Sequence, residues 1–329
     1  MGDVALTVPV LRSALEQNPK LHITLVSNKA FEPFFYDLPR FEFYGVDLNI
    51  HKGVWGLYQL FRALNNFQKW DCIIDLHSVM RTWVLSKFFK WTGIPVFTID
   101  KGRSEKKALT QKENKVYQQL PHTTERYHQV FNEAGIKSDL IYKNAIRPSA
   151  TRSFDFDSKK KWIGIAPFSK HTQKEWPLDK VKALVKALDK TNQYEILLFG
   201  GGTKEKILLE TLASSFENAI SVVGNYSLEE EISLVKQLSI LVSMDSFNMH
   251  LASLLDVKVV SIWGATHSLA GFGPVNGNEV FKVEVSMEKL GCRPCSVFGS
   301  KPCHRGDFAC MQRISVEMVE EKINFVLNS

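Results

Sequence analysis

The sequence lacks several features that would assign it at once to a familiar class of protein. No apolar run reaches the ~18 residues that a membrane-spanning helix needs. The chain opens with Met1-Gly2-Asp3, whereas a secretory signal opens with basic residues and an apolar segment. These absences predict a globular protein of the cytoplasm.

The chain also lacks a strong excess of charge of either sign. The 41 basic and 35 acidic residues leave a net charge of +6, and no helix-turn-helix, ribonucleoprotein or basic-zipper pattern occurs. We therefore expect no nucleic-acid partner. The mild basic excess suits phosphorylated substrates or a membrane surface, although on charge alone an ordinary solvated surface explains it better.

Several catalytic and cofactor-binding motifs are missing as well. GxSxG and HExxH do not occur, and no paired metal carboxylate motif is present. Gly200-Gly201-Gly202 fits neither the GxGxxG dinucleotide pattern nor a phosphate loop, which would continue with GK[ST]. The sequence thus gives no support for a nucleophile elbow, a zinc-protease helix, or dinucleotide or P-loop binding.

Cysteine is rare and unevenly placed. Four of the five cysteines form the pattern Cys292-x2-Cys295-x7-Cys303-x6-Cys310. This spacing could hold a structural zinc ion, although the second pair is not CxxC and His304 complicates the choice of ligands. Three interpretations remain: reduced thiols that shape a loop, which we favour, a zinc site, and disulfides formed after isolation.

Extended and helical patterns alternate along the chain. In the first half, Leu6 to Gln17 and Arg81 to Trp91 read as helices, and the strands are His22 to Val26, Asp71 to Leu76 and Val96 to Ile99. In the second half, strands at 161–167, 195–199, 220–223, 240–242 and 257–263 alternate with helices at 178–189, 204–214 and 228–237. This alternation predicts parallel sheets.

The 329 residues are enough for two such domains, and the polar stretch from Ile141 to Lys161 has the composition of a linker. We predict an N-terminal domain at 1–152, and a C-terminal domain at 153–329 with the cysteine-rich loop and a final helix. A doubly wound domain normally opens with a strand, but here a helix begins almost at once. We therefore predict that the first strand of the N-terminal domain is missing here, either because the domain lacks it or because the chain starts inside a longer protein.

Two segments of the second half place polar residues where a strand ends. Asp245, Ser246 and His250 follow one strand and open a helix, which is where anionic ligands bind in α/β sheets. Ser169 and Lys174 follow another strand and could hold a diphosphate. The alternatives are an ordinary N-cap for the first segment and a solvated loop for the second.

Other candidates are weaker by themselves. Glu205 could accept a hydrogen bond from a ribose hydroxyl or simply suit the helix dipole, and Asp3 is in isolation an N-cap. His77 and Arg81 follow a strand of the first domain and could meet an acceptor, or form a plain surface turn. Lys101 and Arg103 belong to a dense basic cluster and are further acceptor candidates.

Four segments, in this order along the chain, resemble motifs of one enzyme family. They are Gly2-Asp3-x3-Thr7-x-Pro9, Lys174-x-Trp176-Pro177, Asp245-Ser246-x3-His250-x-Ala252, and Trp263-Gly264-Ala265-Thr266 followed by Gly273-Pro274. The ordered set is similar to glycosyltransferase family 9, the ADP-heptose:lipopolysaccharide heptosyltransferases. The resemblance covers essentially the whole chain, and the cysteine cluster also appears in some members.

The resemblance implies a GT-B fold, in which two Rossmann-like domains face each other across a cleft. The second domain would bind the nucleotide-sugar donor and the first the acceptor. The implied reaction is the inverting transfer of a heptose from ADP-heptose to the lipopolysaccharide core, or to a related lipid-linked saccharide. No cofactor or metal ion would be required for the transfer.

The resemblance also implies roles for individual residues. Asp3 matches the general base, and Lys174 matches a residue that stabilises the leaving diphosphate. The implied donor-binding residues are Ser169, Lys170, Lys174, Glu205, Asp245, Ser246, Phe247, Asn248 and His250. The chain departs from the family at Phe247, where Gly is usual, at Ala265, where Pro is usual, and at the family's first strand, which would precede Met1.

Two rivals remain at this point. One is a UDP-sugar-dependent enzyme of the same architecture, such as a 2-epimerase, which would need more acid/base carboxylates than the sequence offers. The other is a nucleotide-sugar-binding protein without turnover. The expected location is the cytoplasm, at the periphery of a bacterial inner membrane. The aromatic-rich segment at 31–44 could touch that membrane, although core packing explains it better.

Overall fold

The structure is a computed structural model that describes residues 1–47, 49–149 and 152–328. Two compact units divide the chain. The N-terminal unit comprises Leu6–Arg103 and Pro121–Ile141. The C-terminal unit comprises Met1–Ala5, Ser104–Leu120 and the residues from Tyr142 onward.

This grouping differs from a single division after residue 152. The segments 1–5, 104–120 and 142–149 all belong to the C-terminal unit. Backbone hydrogen bonds explain two of the three, because the Leu120 N–H donates to the Leu269 carbonyl at 2.9 Å and the Ile146 N–H donates to the Leu254 carbonyl at 3.1 Å. Such long-range bonds are invisible to a composition-based linker prediction.

The helices and strands follow one another as the alternating patterns predict. The described strands are β1 (Ile23–Asn28), β2 (Phe41–Val46), β3 (Ile73–Asp75), β4 (Val96–Thr98), β5 (Lys161–Ala166), β6 (Tyr194–Leu198), β7 (Ala219–Ser221), β8 (Ile240–Met244), β9 (Val259–Trp263) and β10 (Lys282–Glu284). The described α-helices are α1 (Gly2–Ala5), α2 (Val8–Gln17), α3 (Gly53–Phe67), α4 (Met80–Trp91), α5 (Arg103–Thr110), α6 (Thr123–Glu133), α7 (Leu178–Asp189), α8 (Gly202–Ala213), α9 (Leu228–Lys236), α10 (Phe247–Leu254), α11 (Ala309–Gln312) and α12 (Val316–Asn328). None of these helices has the length and apolarity needed to cross a membrane.

The C-terminal unit contains one six-stranded sheet with the order β10-β9-β8-β5-β6-β7, in which every pair is parallel. The chain leaves β5 toward β6 and β7 and then returns to place β8 on the other side of β5. The strand order therefore reverses between β5 and β8. In a doubly wound sheet this reversal opens a ligand crevice at the carboxyl ends of the two strands.

The N-terminal unit contains two separate two-stranded parallel sheets, β1-β2 and β3-β4. The predicted strands of this half are confirmed, and β2 is an addition. The predicted helix at 6–17 is interrupted at Leu6 and Thr7, so that Asp3 lies inside the short helix α1 and not at the N-cap of a longer one. The prediction of a missing first strand stays a prediction.

The aromatic-rich segment at 31–44 packs mainly inside the N-terminal unit. Phe34 and Phe35 are buried, and the Phe35 ring lies 5.2 Å from Phe41 and 5.7 Å from Phe43. The core-packing interpretation of this segment is thus the better one.

Candidate active site

The loops after β5, β6, β8 and β9 all lie at one edge of the C-terminal sheet. Because these strands are parallel neighbours, their carboxyl ends meet there. Ser169 and Lys174 follow β5, Asp245 follows β8, and Glu205 lies in the first turn of the helix after β6. The structure therefore brings the predicted donor-binding residues to the same edge.

An ion pair forms at the point where the strand order reverses. The Lys174 Nζ lies 3.3 Å from the Asp245 Oδ2, and the two side chains are only 11% and 5% exposed. The Thr266 hydroxyl donates to the same carboxylate oxygen at 2.8 Å. Burial raises the pKa of Asp245, while the charge of Lys174 and the bond from Thr266 oppose that rise. The pair thus holds a lysine at the crevice in a fixed position.

The start of α10 provides backbone donors beside this pair. Ser246 occupies the N-cap position but makes no side-chain capping bond, because its hydroxyl lies 3.1 Å from the Ser243 hydroxyl. Capping by Ser246 is therefore not its role in this structure. Phe247 and Asn248 open the helix and are half-buried, and His250 lies one turn on and is buried. The positive end of the helix dipole points toward this edge and would favour an anion.

The segment after β5 forms a tight turn that the sequence alone did not fully explain. The Ser169 hydroxyl donates to the His171 carbonyl at 3.2 Å, and the Ser169 N–H donates to the Glu175 Oε1 at 3.1 Å. Burial raises the pKa of Glu175. Glu175 was missed because a glutamate in a lysine-rich loop reads as a surface residue. It fixes the turn that carries Ser169 and the exposed Lys170.

Glu205 has a local structural role in this structure. Its Oε2 accepts the Gly201 N–H at 2.6 Å, which satisfies a backbone donor at the start of α8. This bond favours the helix-terminus interpretation of Glu205 and does not test ribose binding. The carboxylate is half-buried beside the glycine run that follows β6.

Asp3 belongs to the C-terminal unit because α1 packs on α10. A Cβ atom added at Gly2 would meet the His250 Cδ2 at 3.3 Å and the Phe247 Cα at 4.0 Å. This packing brings Asp3 to the edge that carries the Asp245 loop.

The acceptor candidates lie together in the N-terminal unit. His77 and Arg81 follow β3, and Lys101 and Arg103 follow β4, its parallel partner. The Arg103 Nη2 donates to the Ser78 carbonyl at 3.0 Å, which joins the two loops. The Asp75 Oδ1 accepts the N–H groups of His77 and Ser78, each at 2.9 Å. The four basic side chains therefore line one edge of the β3-β4 sheet.

Arg293, which the sequence analysis did not single out, stabilises the loop that follows β9. This fully buried arginine donates to the Gly264 carbonyl at 2.6 Å, to the Trp263 carbonyl at 3.0 Å and to the Glu284 carboxylate at 3.0 Å. Burial would raise the pKa of Glu284, but the bond from His267 and the charges of Arg293, His267 and Lys282 lower it to about 2. The network orders the loop after β9, which presents Thr266 to Asp245. A lone arginine between two cysteines gives no sequence signal for this role.

The cysteine-rich loop contacts the lysine of the ion pair. Gly299 has a φ of +76°, and a Cβ atom there would lie 2.5 Å from the Lys174 Cγ. Only glycine therefore combines this backbone conformation with room for the lysine stem. The loop thus positions Lys174, a role that the spacing of the cysteines does not predict.

All five cysteines lie in the described residues, and none of them is in a disulfide bond there. Cys292, Cys295, Cys303 and Cys310 line one pocket together with Gln173 and His304. Within the described ranges, however, no group of three or more His, Cys, Asp or Glu side chains is arranged to hold a metal ion. The preference for reduced thiols over a zinc site stays a prediction.

Two comparisons of the sequence with known proteins match most of the chain. A family model described as glycosyltransferase family 9 (heptosyltransferase) matches residues 57–300. Lipopolysaccharide heptosyltransferase 1 of Campylobacter coli is 23% identical over 299 residues, which cover 85% of this chain and 86% of that relative.

Two solved structures share the α/β fold with parallel sheets over nearly the whole chain. A glycosyltransferase of family 9 from Veillonella parvula has a TM-score of 0.75 at 19% identity, covering 99% of this chain and 94% of its own. The E. coli heptosyltransferase WaaC, solved with ADP-2-deoxy-2-fluoro heptose, has a TM-score of 0.70 at 16% identity, covering 100% and 96%. This chain belongs to glycosyltransferase family 9 and is a heptosyltransferase-like glycosyltransferase.

Proposed function

We propose that the protein transfers a heptose or a related sugar from an ADP-sugar to a hydroxyl of a lipopolysaccharide-core or lipid-linked acceptor. The observation that carries this proposal is the packing of α1 against α10 through Gly2 and His250. It brings a carboxylate, Asp3, to the edge that also carries Lys174 and the Asp245 loop. A sugar transfer needs a general base for the acceptor hydroxyl and a binding site for the donor diphosphate, and on this proposal one unit supplies both.

The donor diphosphate would bind between the turn after β5 and the start of α10. Lys174 and Lys170 supply positive charge, and the opening N–H groups of α10 supply donors. Asp245 holds Lys174 at 3.3 Å and so fixes its position before the donor arrives. As ADP leaves, its developing negative charge is stabilised by these groups without any rearrangement.

The transfer itself is a single displacement with Asp3 as general base. The acceptor oxygen attacks the anomeric carbon of the sugar, and its proton passes to the Asp3 carboxylate. The new bond from oxygen to carbon forms as the bond from carbon to the diphosphate breaks, and ADP departs with the electron pair. Attack opposite the leaving group inverts the anomeric configuration.

The acceptor would be bound by the N-terminal unit. His77, Arg81, Lys101 and Arg103 line one edge of its β3-β4 sheet and offer donors to phosphate or carboxylate groups. Bacterial core saccharides that carry such groups fit this edge. We propose that the transfer requires no metal ion, because Lys174, Lys170 and the α10 terminus supply the positive charge. Undiminished turnover in chelator-treated enzyme is the expected result.

The base is tested by Asp3→Asn, with the exposed Asp139→Asn as a matched control. We expect Asp3→Asn to lower kcat by about 10²- to 10⁴-fold, since general base catalysis contributes that much. Affinity for ADP, measured by calorimetry, should stay within about twofold. Equal turnover in the Asp3→Asn and Asp139→Asn variants would remove Asp3 from the mechanism.

The donor is tested by titrating ADP and UDP against wild type, Lys174→Met and the control Lys186→Met. Lys186 lies on α7 and is exposed. Loss of one charge-assisted contact should weaken ADP binding by about 10- to 100-fold in the Lys174→Met variant only. Tight binding of UDP without binding of ADP would contradict the ADP-sugar assignment and favour a UDP-sugar enzyme.

A further inference from the structure

Helices α3 and α4 of the N-terminal unit expose large apolar side chains, most of them tryptophans. Trp55 on α3 is 70% exposed, and on α4 Met80 is 83%, Trp83 is 56% and Trp91 is 76% exposed. The opposite sides of the same helices are buried in a shared core that includes Leu60, Phe61, Leu64 and Phe89. The exposed set is therefore not a by-product of loose packing. We call these four exposed residues, with Lys87, the α3–α4 face.

The exposed rings are supported by ordered neighbours. Ring centroids lie 5.6 Å apart from Trp55 to Tyr58, 5.6 Å from Tyr58 to Phe88 and 5.7 Å from Phe88 to Trp91. This row of rings runs from one helix to the other. The Lys87 Nζ lies 3.7 Å from the centroid of Trp83, so that a positive charge rests on an exposed indole.

The two helices themselves carry charge of one sign. Within α3 and α4 there are four lysines and arginines, all exposed, and no aspartate or glutamate. Over the continuous stretch 49–99 six basic residues stand against two acidic ones, Asp71 and Asp75, which leaves a net charge of +4. The whole chain has a net charge of +6. Most of the basic excess of the protein thus lies beside the α3–α4 face.

We propose that the α3–α4 face docks the protein on an anionic lipid bilayer. Exposed tryptophans partition to the headgroup level of a bilayer, and lysines and arginines next to them bind acidic headgroups. An anionic bilayer therefore matches both the exposed indoles and the basic side chains. An acidic protein or a nucleic acid would satisfy the charges but would leave the indoles without an apolar medium. The docking itself is argued independently of the proposed function. Only its purpose, which is to bring the enzyme to a lipid-borne acceptor, rests on that function.

Flotation with vesicles tests the proposal on the full-length protein. Vesicles of phosphatidylethanolamine with one quarter phosphatidylglycerol are compared with vesicles of phosphatidylcholine alone. We expect wild type to float with the anionic vesicles at low salt and to bind the zwitterionic vesicles at least about tenfold more weakly, because each basic residue near an anionic surface adds about fivefold. Raising the salt concentration should weaken the binding.

A matched pair of double variants locates the surface. Trp83→Ser with Lys87→Glu removes the indole and its cation, whereas Phe325→Ser with Lys322→Glu removes a similar pair on α12. Phe325 is 61% exposed, and the Lys322 Nζ lies 5.6 Å from its ring. We expect the first variant to lose at least about tenfold in vesicle affinity and the second to bind like wild type.

Three results would overturn the proposal: equal loss in the two double variants, no binding of wild type to anionic vesicles, or binding of tRNA or an acidic protein at this face with none to vesicles. Thermal midpoints within about 2 °C of wild type exclude misfolding as the cause. A second variant, Trp55→Ser with Trp91→Ser, should lose vesicle affinity in the same way. ADP affinity should be unchanged in every variant, so a failed docking surface is distinguishable from a failed donor site.

Discussion

The strands of the two units are similarly apolar but differ in how deeply they are buried. Every residue of β8 and of β9 is buried, whereas along β1 the residues are half-buried or exposed. The difference follows from the sheets. β8 is paired on both sides, but in the described part of the chain β1 is paired with β2 alone. A doubly paired strand covered on both faces places its side chains in a closed core.

The same contrast extends to the polar residues. In the C-terminal unit, Lys174, Asp245 and Thr266 are held together by short contacts, and Arg293 supports them. In the N-terminal unit, the side chains of His77, Arg81 and Arg103 are exposed along a narrower sheet. The buried polar side chains at the edge of the C-terminal sheet are therefore fixed before a ligand binds. The exposed basic side chains of the N-terminal unit can still adjust to the ligand.

The largest effect is expected from removing a buried arginine in each unit. Arg293→Met leaves the Glu284 carboxylate and several carbonyl groups of the C-terminal unit without their partner, which should cost about 3–5 kcal/mol of unfolding free energy. Arg12→Met in the N-terminal unit breaks a pair with Asp37, whose side chain is 22% exposed and can be solvated by water. We expect about 2 kcal/mol there.

Hydrogen exchange read by mass spectrometry separates the two arginine variants, because each should accelerate exchange mainly in its own unit. Arg293 and Arg12 are both buried, so the pair is matched in exposure and differs in its partners. An Arg12→Met variant that destabilises as much as Arg293→Met would mean that the two units are equally dependent on buried charge.

A pH dependence is expected in the C-terminal unit at Glu231 on α9. Burial raises the pKa of this carboxyl group to about 7. Because the folded pKa exceeds the unfolded one, its contribution to stability is complete below about pH 4.5 and is lost as the pH rises through about 7. Glu231→Gln should therefore gain stability relative to wild type over that window, by about 2 kcal/mol at pH 8.

The measurement is the urea midpoint of wild type and Glu231→Gln at several pH values. Glu288→Gln is a suitable control, because Glu288 is an exposed residue of the same unit. A difference between wild type and Glu231→Gln that stays constant from pH 4 to pH 8 would contradict the buried-carboxyl explanation.

The sequence predicted the edge of the C-terminal sheet well because local patterns and one topological rule suffice there. Buried strands appear in the sequence as apolar runs. The loops that follow neighbouring parallel strands must lie at the same edge of the sheet. Asp245 and Lys174 could therefore be assigned to one site, although 70 positions separate them in the chain. No property of either residue alone predicts the ion pair.

The remainder could not be predicted because it depends on contacts that no local pattern encodes. Arg293 and Gly299 act through tertiary packing, and their neighbours in the sequence give no sign of it. Thr266 lies in one of the four family-like segments, but the segment does not predict its hydrogen bond to Asp245. The grouping of α1 with the C-terminal unit is of the same kind. The exposed tryptophans of α3 and α4 were also missed, since an aromatic residue on a helix is more often part of a core.

The smallest effect is expected from truncating one valine in a strand of each unit, which compares the burial of the two sheets directly. Val242 on β8 and Val26 on β1 are both valines of parallel strands, but the first is 1% and the second 36% exposed. Truncation to alanine should cost about 2 kcal/mol at Val242, where a cavity remains between β5 and β9, and less than about 1 kcal/mol at Val26. Chemical denaturation of the two variants, followed by hydrogen exchange to assign each loss to its unit, measures the difference. Because the two substitutions remove the same atoms, a larger cost at Val26 than at Val242 would contradict the burial contrast between the two strands.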